Sequence, residues 1–585
     1  MLPFGLLLAG AAPAVAAPAQ TESGLVPSAE HPNIILFMVD DMGWQETSVP
    51  FYSSPTALNR RYRTPNMERM AAQGVKFMQA YACAISSPSR CSLMSGMNAA
   101  RHRVTNWTLN YNTKTDASSS VLTLPDWNYN GIQPAGVADA HDLSNGTPVT
   151  SLPQILHDNG YYTIHCGKAH FGSETTSGAD PLKFGFDVNI AGAANGGPGS
   201  YLAENEYGSG SFHVSGLEKY YGTGTFLSEA LTIEALKAIE EPIQRNQPFY
   251  LYMAHYAIHT PYDADLRFTP NYANYHDEQL NAVLNNQEIN HAALVEGMDK
   301  SLGDILDYLE ANPDVARNTV VLFMSDNGGQ AVSVRQGRAN YDQNYPARGG
   351  KGSAYEGGVH EPMILYWPSN TKVQGGSENQ SRIMIEDFFP TIIDLAGVKS
   401  YQTVQHVDGK SFADILRDPS IERSRVNIWH FPNLWGESQD KSEGYGAYSA
   451  IMKGDYHMLY FWETQERRLY NIREDIGETN NLAKTEPELL QALSEELTDS
   501  LKAYDAQRPT YTETGQLIPW PDEAPLPVEV GDVVPPTAGI FQYSTEDEKH
   551  YYRIVDNRAT NFTWTLGNHR LFSYSGYYGG LWQCL

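Results

Sequence analysis

Residues Asn33–Val39 read NIILFMV, a nearly continuous apolar run that ends in Asp40-Asp41. A run of this kind, without alternating polar positions, is typical of a parallel strand that is buried on both faces. Similar runs occupy residues 161–164, 249–253, 319–324 and 363–367. Helical patterns separate them, at residues 227–239, 291–309 and 385–395. Strands that alternate with helices predict an α/β fold with a large mixed, mostly parallel sheet flanked by helices.

The pattern changes after residue 440, where short strands and one amphipathic helix follow in succession. The strands are predicted at residues 445–452, 456–461 and 468–472, and the helix at residues 486–504. We therefore predict a main domain over residues 30–440 and a smaller C-terminal α+β domain over residues 441–515. Six prolines lie between residues 518 and 537. Residues 516–585 are accordingly predicted to be a Pro-rich linker and an aromatic tail that packs on the body.

The charge balance excludes some classes of partner. The chain has 40 Lys and Arg residues against 68 Asp and Glu residues, which gives a formal net charge of −28. Such an acidic surface repels nucleic acid and anionic lipid, so neither is expected as a partner. The four cysteines have neither the number of a disulfide framework nor the spacing of a metal site.

The first residues of the chain predict export. Residues 6–17 form an apolar run, and residues 14–16 (AVA) offer a small-residue cleavage site, so residues 1–20 are predicted to be a signal peptide. The usual positive n-region is absent, because no Lys or Arg precedes Arg60. The run is too short to span a bilayer, and we find no other apolar stretch of about 18 residues. The protein is expected to be periplasmic or secreted, without a membrane span.

A possible anion site lies in the segment Ser86-Ser87-Pro88-Ser89-Arg90. Proline suits the first turn of a helix, so Ser86 is predicted to lie at or just before a helix N-terminus. Free backbone N–H groups and the helix dipole favour an anion there, and Arg90 would point toward the same anion. The alternative interpretation is an ordinary serine-rich helix start with a surface arginine.

Two further polar pairs come directly after apolar strands. They are Asp40-Asp41, after the first run, and Asp326-Asn327, after the run at 319–324. The carboxyl ends of parallel strands meet at one edge of a sheet, so these side chains could converge. A set of oxygen ligands rich in carboxylates suits Ca²⁺, with Mg²⁺ as the smaller alternative. The alternative interpretation is that the pairs cap helices or form turns.

Taken together, the motifs resemble the formylglycine-dependent sulfatase family of the alkaline phosphatase superfamily, and in particular its serine-type bacterial polysaccharide sulfatases. Ser86, Pro88, Arg90 and Gly96 match the family signature, whereas Ser95 stands where the family usually has Thr. The matching segments, in chain order, are 33–43, 86–96, 167–172, 255–261, 325–328, 349–358, 469–471 and 477–482.

The resemblance implies a mechanism. A maturation enzyme would oxidise Ser86 to formylglycine, and one hydroxyl of the hydrated aldehyde would attack the sulfur of a sulfate ester. Deprotonation of the second hydroxyl would then eliminate sulfate and re-form the aldehyde, without a second attack at sulfur. The implied cation ligands are residue 86, Asp40, Asp41, Asp326 and Asn327.

The resemblance also implies roles for the basic residues of the site. Arg90, Lys168 and Lys351 would bind the sulfate. His170 would assist sulfate release and His259 would protonate the leaving alcohol, although these two roles could be exchanged. For each lysine and histidine alone, a surface or structural role is the competing interpretation.

The implied substrate is a sulfated oligo- or polysaccharide, such as the algal galactan carrageenan. Arg101, His102, Arg103 and His430 are candidate substrate contacts, with packing and salt bridges as the alternative. Two other functions stay open. The chain could be a phosphodiesterase or phosphonate monoesterase of the same superfamily, or a sulfated-glycan binding protein without catalysis.

Overall fold

A computed structural model describes residues 24–525, except 140, 142–143, 331–341 and 439, together with the backbone of five strands between residues 539 and 584. The predicted signal peptide lies outside the described residues, as does the stretch 526–538 of the predicted linker. Among the described residues, no helix combines the length and the apolar character that crossing a bilayer requires.

The centre of the molecule is an eight-stranded sheet. Its strands are β1 Asn33–Val39, β2 Val75–Tyr81, β3 Tyr162–Gly167, β4 Val188–Ile190, β5 Phe249–Ala254, β6 Thr319–Ser325, β7 His360–Tyr366 and β8 Ser377–Met384. Their spatial order is β8-β2-β7-β6-β1-β5-β3-β4. Every adjacent pair is parallel except the two pairs that β7 makes, with β2 and with β6. The predicted mixed, mostly parallel α/β fold is therefore confirmed.

One strand runs in a direction that its sequence did not indicate. The apolar run at 363–367 resembled the parallel strands, but it belongs to β7, which is antiparallel to both neighbours. All seven residues of β7 are buried. Burial on both faces produces the same apolar run in either direction, so the pattern could not reveal the orientation.

Helices cover both faces of the sheet. They are α1 Pro65–Gln73, α2 Ser86–Ser95, α3 Leu152–Asp158, α4 Leu227–Gln244, α5 Asn286–Ala311 and α6 Phe388–Leu395. Shorter helices are Ala57–Arg61, Ala99–His102, Thr269–Tyr272, Pro313–Ala316, Glu356–Val359 and Ala413–Arg417. Alternate residues of β1 pack into opposite cores: Leu36 contributes to the core with α2, α3 and α6, and Phe37 to the core with α1, α4 and α5.

The strand register determines where the polar ends lie. In the parallel ladders, Val39 of β1 pairs with Ser325 of β6, and Met38 pairs with Ala254 of β5. Gly167 of β3 pairs with the same Ala254. Four neighbouring strands thus end at one level, and the residues that follow them share one edge of the sheet.

A second, antiparallel sheet contains β9 Asn427–Phe431, β10 Tyr448–Lys453, β11 Tyr456–Phe461 and β12 Glu466–Asn471. Helix α7 (Pro487–Ala503) packs on it through Leu490, Leu493 and Leu497. The sheet begins at Asn427, so the predicted domain boundary at residue 440 falls between its first two strands. We use "small domain" for residues 427–507.

The remaining strands are short or belong to the tail. Leu122–Thr123 pairs with Thr510–Tyr511, Ile132–Pro134 with Thr147–Val149, and His276–Asp277 with Ala282–Val283. The tail strands are Gly539–Ser544, Lys549–Asp556, Thr560–Leu566, His569–Gly576 and Leu581–Cys584.

Candidate active site

Ser86 is the first residue of α2, at the position that the sequence predicts for it. The preceding residue, Ile85, is extended, and Ser86 itself is only 2% exposed. Its hydroxyl oxygen accepts a hydrogen bond from Lys168 Nζ at 3.1 Å and lies 3.3 Å from His170 Nδ1. The side chain is therefore enclosed between a cation and an imidazole.

The contacts of His170 define its protonation state. Nε2 lies 2.8 Å from the backbone carbonyl oxygen of Thr108, which can only accept, so Nε2 carries the proton. Nδ1 then presents a lone pair to the Ser86 hydroxyl. Burial lowers the pKa of His170 well below its ordinary value, and the charge of Lys168 lowers it further. The neutral ring can accept a proton from residue 86.

Three carboxylates meet beside this serine. Ligand oxygens of Asp40, Asp41 and Asp326 lie within 4.8 Å of one another, and all three residues are buried. Asn327 donates from Nδ2 to Asp41 Oδ1 at 2.8 Å, while its own Oδ1 is buried and has no hydrogen-bond partner among the described residues. These four side chains offer the hard oxygen ligands that Ca²⁺ and Mg²⁺ prefer, so the residues present fit a divalent cation.

Each of the three carboxylates also has a cationic partner in the protein. Lys168 Nζ donates to both Asp40 oxygens at 2.8 Å, and Arg90 Nε donates to Asp326 at 2.8 Å. Lys351 Nζ lies 2.7 Å from Asp41 Oδ1. These pairs balance charges that would otherwise be costly to bury together.

Burial raises the pKa of Asp40 well above its usual value, although Lys168 opposes this effect. Burial acts in the same direction on Asp41, but there the positive charges of Lys351 and Lys168 outweigh it, and the pKa of Asp41 falls below its usual range. Two adjacent carboxyl groups thus have opposite shifts, and Asp41 is the more firmly ionised of the two.

Arg90 is fully buried, and only part of its guanidinium is engaged. Nη1 donates to the carbonyl of Lys168 at 2.9 Å, while Nη2 has no partner among the described residues. An unpaired buried N–H group is rare and costly. Nη2 is therefore available to a further acceptor, and the binding of an anion by Arg90 stays a prediction.

His259 lies beside Asp41, with Nε2 3.7 Å from Asp41 Oδ2. Its Nδ1 lies 2.8 Å from the Thr260 carbonyl, so Nδ1 carries a proton and Nε2 faces the carboxylate. Burial lowers the pKa of His259 to about 3, and Lys351 contributes to this shift. The segment that precedes His259 is fixed to the end of β1 by two backbone hydrogen bonds: Asp40 N–H donates to the carbonyl of residue 257, and the N–H of residue 258 donates to the Asp40 carbonyl.

Two contributions to the site were not predicted. A Cβ at Gly196 would lie 2.5 Å from His170 Cε1, and a Cβ at Gly197 would lie 2.6 Å from His259 Nδ1. We call residues 192–199 the glycine strap, because its backbone packs directly on both imidazoles. Four glycines within eight residues were a visible signal for it. The carbonyl of Thr108 gave no signal, because any residue type provides the same group.

The four predicted substrate contacts all have partners within the protein. The two arginines pair with acids: Arg101 with Asp408 at 2.8 Å and Arg103 with Asp505. Both histidines are buried. His102 contacts Ser92 Oγ at 3.0 Å and Val104 N at 3.0 Å, and His430 contacts Ser449 Oγ at 2.7 Å and the Gln507 carbonyl at 2.9 Å. A role in substrate binding stays a prediction for all four.

Comparison with known proteins gives matches over much of the chain. A family model described as "Sulfatase" matches residues 32–398, and one described as "N-sulphoglucosamine sulphohydrolase, C-terminal" matches residues 350–507. A sulfatase of Formosa agariphila is 29% identical over 507 residues, which cover 78% of this chain and 85% of that protein. Human N-acetylgalactosamine-6-sulfatase is 30% identical over 435 residues, covering 69% and 73%.

Among solved structures, Ps i-CgsB is similar with a TM-score of 0.61 and 25% identity, covering 82% of this chain and 94% of that one. The same protein in complex with k-i-k-neocarrahexaose gives a TM-score of 0.59 with the same identity and coverage.

Proposed function

The chain belongs to the sulfatase family and is a sulfuric ester hydrolase; on that premise we propose that it removes sulfate from a sulfated carbohydrate, with residue 86 as its nucleophile after oxidation to formylglycine. One observation carries the proposal. The Ser86 hydroxyl lies at a helix N-terminus, within hydrogen-bond distance of both Lys168 and His170, and Lys168 also bonds Asp40 of the carboxylate cluster.

The cation site is part of the proposal. Asp40, Asp41, Asp326 and Asn327, together with residue 86, would hold Ca²⁺ or Mg²⁺. A bound divalent cation supplies Lewis acidity, which neutralises developing charge and lowers the pKa of a nearby hydroxyl.

Residue 86 performs the central chemistry. One hydroxyl of its hydrated aldehyde gives up its proton to solvent and its oxygen attacks sulfur. The new S–O bond forms, and the bond to the sugar oxygen breaks as that oxygen takes a proton from His259. His170 Nδ1, which presents a lone pair to residue 86, then accepts the proton of the second hydroxyl. The C–O bond to the sulfate breaks, sulfate leaves, and the aldehyde is re-formed. His170 is thus assigned to sulfate release.

The sulfate is bound by cations already present. Arg90 Nη2 has no hydrogen-bond partner in the part of the chain that the structure describes, and Lys168 and Lys351 reach the same buried region. Charge-assisted hydrogen bonds to an oxyanion are strong where water is excluded.

His259 is assigned to protonate the leaving sugar oxygen. Its neutral ring has Nε2 free of a proton, so it must first gain one. A sulfate bound beside the ring would favour the protonated form, because an opposite charge raises the pKa of a histidine.

The proposed substrate is a sulfated oligo- or polysaccharide. The structural similarity to Ps i-CgsB, which has been solved with k-i-k-neocarrahexaose, supports a carrageenan-type galactan. The similarity to N-acetylgalactosamine-6-sulfatases supports a sulfated amino sugar as the competing substrate. A panel of defined oligosaccharides of both types, assayed for sulfate release, decides between them.

The proposal also includes the biological setting. Residues 1–20 direct export to the periplasm or medium, and a maturation enzyme oxidises Ser86. The catalytic domain, predicted over residues 30–440, would end where the sheet of the C-terminal α+β domain begins, at Asn427, and residues 516–585 would form the linker and tail.

The central test replaces Ser86 by cysteine. We expect Ser86→Cys, co-expressed with an aerobic maturation enzyme, to hydrolyse an aryl sulfate, and mass spectrometry to show formylglycine at residue 86. Ser87→Cys is the matched control, because it carries the same thiol without a proline two residues later. A matured Ser86→Cys protein that prefers the matching aryl phosphate would instead support a phosphodiesterase. Matured protein that binds sulfated glycans but cleaves neither ester would support a binding protein.

A further inference from the structure

Lys351 lies on a loop that depends on a second domain for its shape. We call residues 348–358 the Lys351 loop. Lys351 Nζ reaches Asp41, and the Lys351 backbone N–H donates to the Gly329 carbonyl at 3.0 Å. The two ends of the loop meet, because Gly357 N–H donates to the Arg348 carbonyl at 2.8 Å.

The outer side of this loop packs on the small domain. Ser353 Oγ donates to the Glu443 carbonyl at 2.6 Å, and Ala354 N–H donates to the Gly444 carbonyl at 3.0 Å. Gly352 lies so close to the Trp435 indole that a Cβ would be 2.4 Å from it. The loop therefore has little space in which to shift.

One residue of the small domain bonds to both ends of the loop. Glu478 Oε2 accepts the Glu356 backbone N–H at 2.7 Å, and the Glu478 carbonyl accepts Arg348 Nη1 at 3.1 Å. Glu478 Oε1 lies 2.8 Å from His457 Nδ1 of β11, and the glutamate, like this histidine, is fully buried. One oxygen of the Glu478 carboxylate thus contacts its own domain, and the other oxygen bonds to the Lys351 loop.

From these contacts we infer that Glu478 is a positioning residue for Lys351. It fixes the ends of the Lys351 loop and thereby the place of the ammonium group beside Asp41. This role gives a physical meaning to the segment 477–482, which the chemistry of the site does not use. The inference rests on the proposed function, because it assigns an effect on sulfate ester hydrolysis.

A competing account is that Glu478 only satisfies polar groups in a domain interface. A carboxylate that accepts two hydrogen bonds stabilises a fold wherever it lies. The two accounts predict different results when Lys351 is also replaced. If Glu478 acts by positioning Lys351, substitution of Glu478 has little further effect on kcat/KM in a protein that lacks Lys351. If Glu478 is purely structural, the effect of its substitution is the same with and without Lys351.

The first experiment measures the mobility of the Lys351 loop and does not require an active enzyme. Backbone hydrogen exchange of residues 348–358 is followed by mass spectrometry in unmatured wild-type protein, in Glu478→Gln and in Glu474→Gln. Glu474 is an exposed glutamate four residues away and is the matched control. We expect faster exchange of this segment in Glu478→Gln alone. Unchanged exchange in that variant would overturn the inference.

The second experiment measures catalysis in matured protein. We expect Glu478→Gln to lower kcat/KM for an aryl sulfate about tenfold, the effect typical of losing a charged hydrogen bond, and Glu474→Gln to leave it unchanged. In a Lys351→Gln background the same substitution should change kcat/KM less than twofold. An equal loss in both backgrounds, or no loss in either, would contradict the positioning role.

If Glu478→Gln fails to fold, Arg348→Lys is the second variant. It replaces the guanidinium that bonds the Glu478 and Ser442 carbonyls and the Glu443 carboxylate, at a partly exposed position. It should give the same pattern of exchange and activity in smaller measure, and wild-type values for both would overturn the inference. If matured wild-type protein hydrolyses no sulfate ester, the proposed function fails, while the exchange measurement still decides whether Glu478 holds the loop.

Discussion

Asp41 has a backbone φ of 61°, in the left-handed region that few residues other than glycine adopt. Contacts on several sides hold it there: Lys351 and Asn327 bond its carboxylate, and its N–H donates to Asp326 Oδ1 at 3.2 Å. A strained residue that is fixed by its neighbours is common at functional sites. Here the left-handed backbone lets the Asp41 carboxylate lie beside that of Asp40.

Removal of one carboxylate should weaken the cation site. We expect Asp326→Asn to lower Ca²⁺ affinity at least about tenfold, because it removes one of the charged oxygen ligands and frees the Arg90 guanidinium to repel the ion. Isothermal titration of unmatured protein with Ca²⁺ measures this directly. Asp314→Asn is the control, since that side chain is 90% exposed. Equal affinity in wild type and Asp326→Asn would show that the cluster is not the cation site.

The glycine strap makes a separate prediction about His259. In Gly197→Ala the new methyl group would overlap the imidazole, so the ring must move and we expect kcat/KM to fall about tenfold or more, as for a misplacement of about an ångström. Gly436→Ala, where a Cβ meets none of the described residues within 4 Å, should behave as wild type. A fully active Gly197→Ala enzyme would mean that the strap does not fix the ring.

Among single residues, the sequence singled out the acids, the basic residues and Ser86 as candidates because their types carry chemistry, and the structure brings them together. Their convergence follows from strands that end at one level. Thr108 and Gly197 were missed for the opposite reason: one acts through a backbone carbonyl and the other through a missing side chain. The internal partners of Arg101 and His430 could not be foreseen either, since pairing depends on residues that are distant in sequence, such as Asp408 and Gln507.

Among the elements, α2 begins where the sequence predicts it because Pro88 is the third residue of the helix, where no backbone N–H is needed. Strands β1 and β6 were visible as apolar runs because both of their faces are buried. Strands β2 and β8 carry no such run. They contain polar residues, and β8 lies at the edge of the sheet with partly exposed positions.

Helix α5 allows a test of local stability. Asn285 caps its first turn by accepting from the N–H groups of Gln287 and Glu288 at 3.0 Å each. We expect Asn285→Ala to destabilise the protein by about 1 kcal/mol, because two N–H groups lose their partner. Differential scanning calorimetry should show a lower Tm, and Gln287→Ala, which keeps the backbone donor, should not change it. An unaltered Tm in Asn285→Ala would argue against the cap.

The whole molecule buries several histidines in neutral form. Burial lowers the pKa of His102, His165, His255 and His430 to about 3 each. In the unfolded chain these rings titrate near pH 6.5. Between about pH 6.5 and 3 the unfolded state therefore binds more protons, so stability is complete above this window and is lost as the pH falls through it.

The contribution of one such histidine to this loss of stability at low pH can be measured. Urea unfolding at pH 6 and pH 5 should show wild-type stability falling by about 1 kcal/mol more than that of His102→Gln, which lacks one such titration. His276→Gln, at an exposed position, is the control for the loss of a histidine elsewhere in the chain. An identical pH dependence in wild type and His102→Gln would contradict the neutral burial of this ring.

The burial of Ser86 sets an order of events in the life of the chain. Only 2% of this residue is exposed, and the segment around it is bonded to two later parts of the sequence, through Ala82 to Val359 and through Ala84 to Gly352. If the oxidising enzyme binds residue 86 in an extended peptide, these contacts prevent it from reaching the residue. The modification that we propose would therefore come before Gly352 and Val359 bond to this segment, so that the folded chain would be a poor substrate for it.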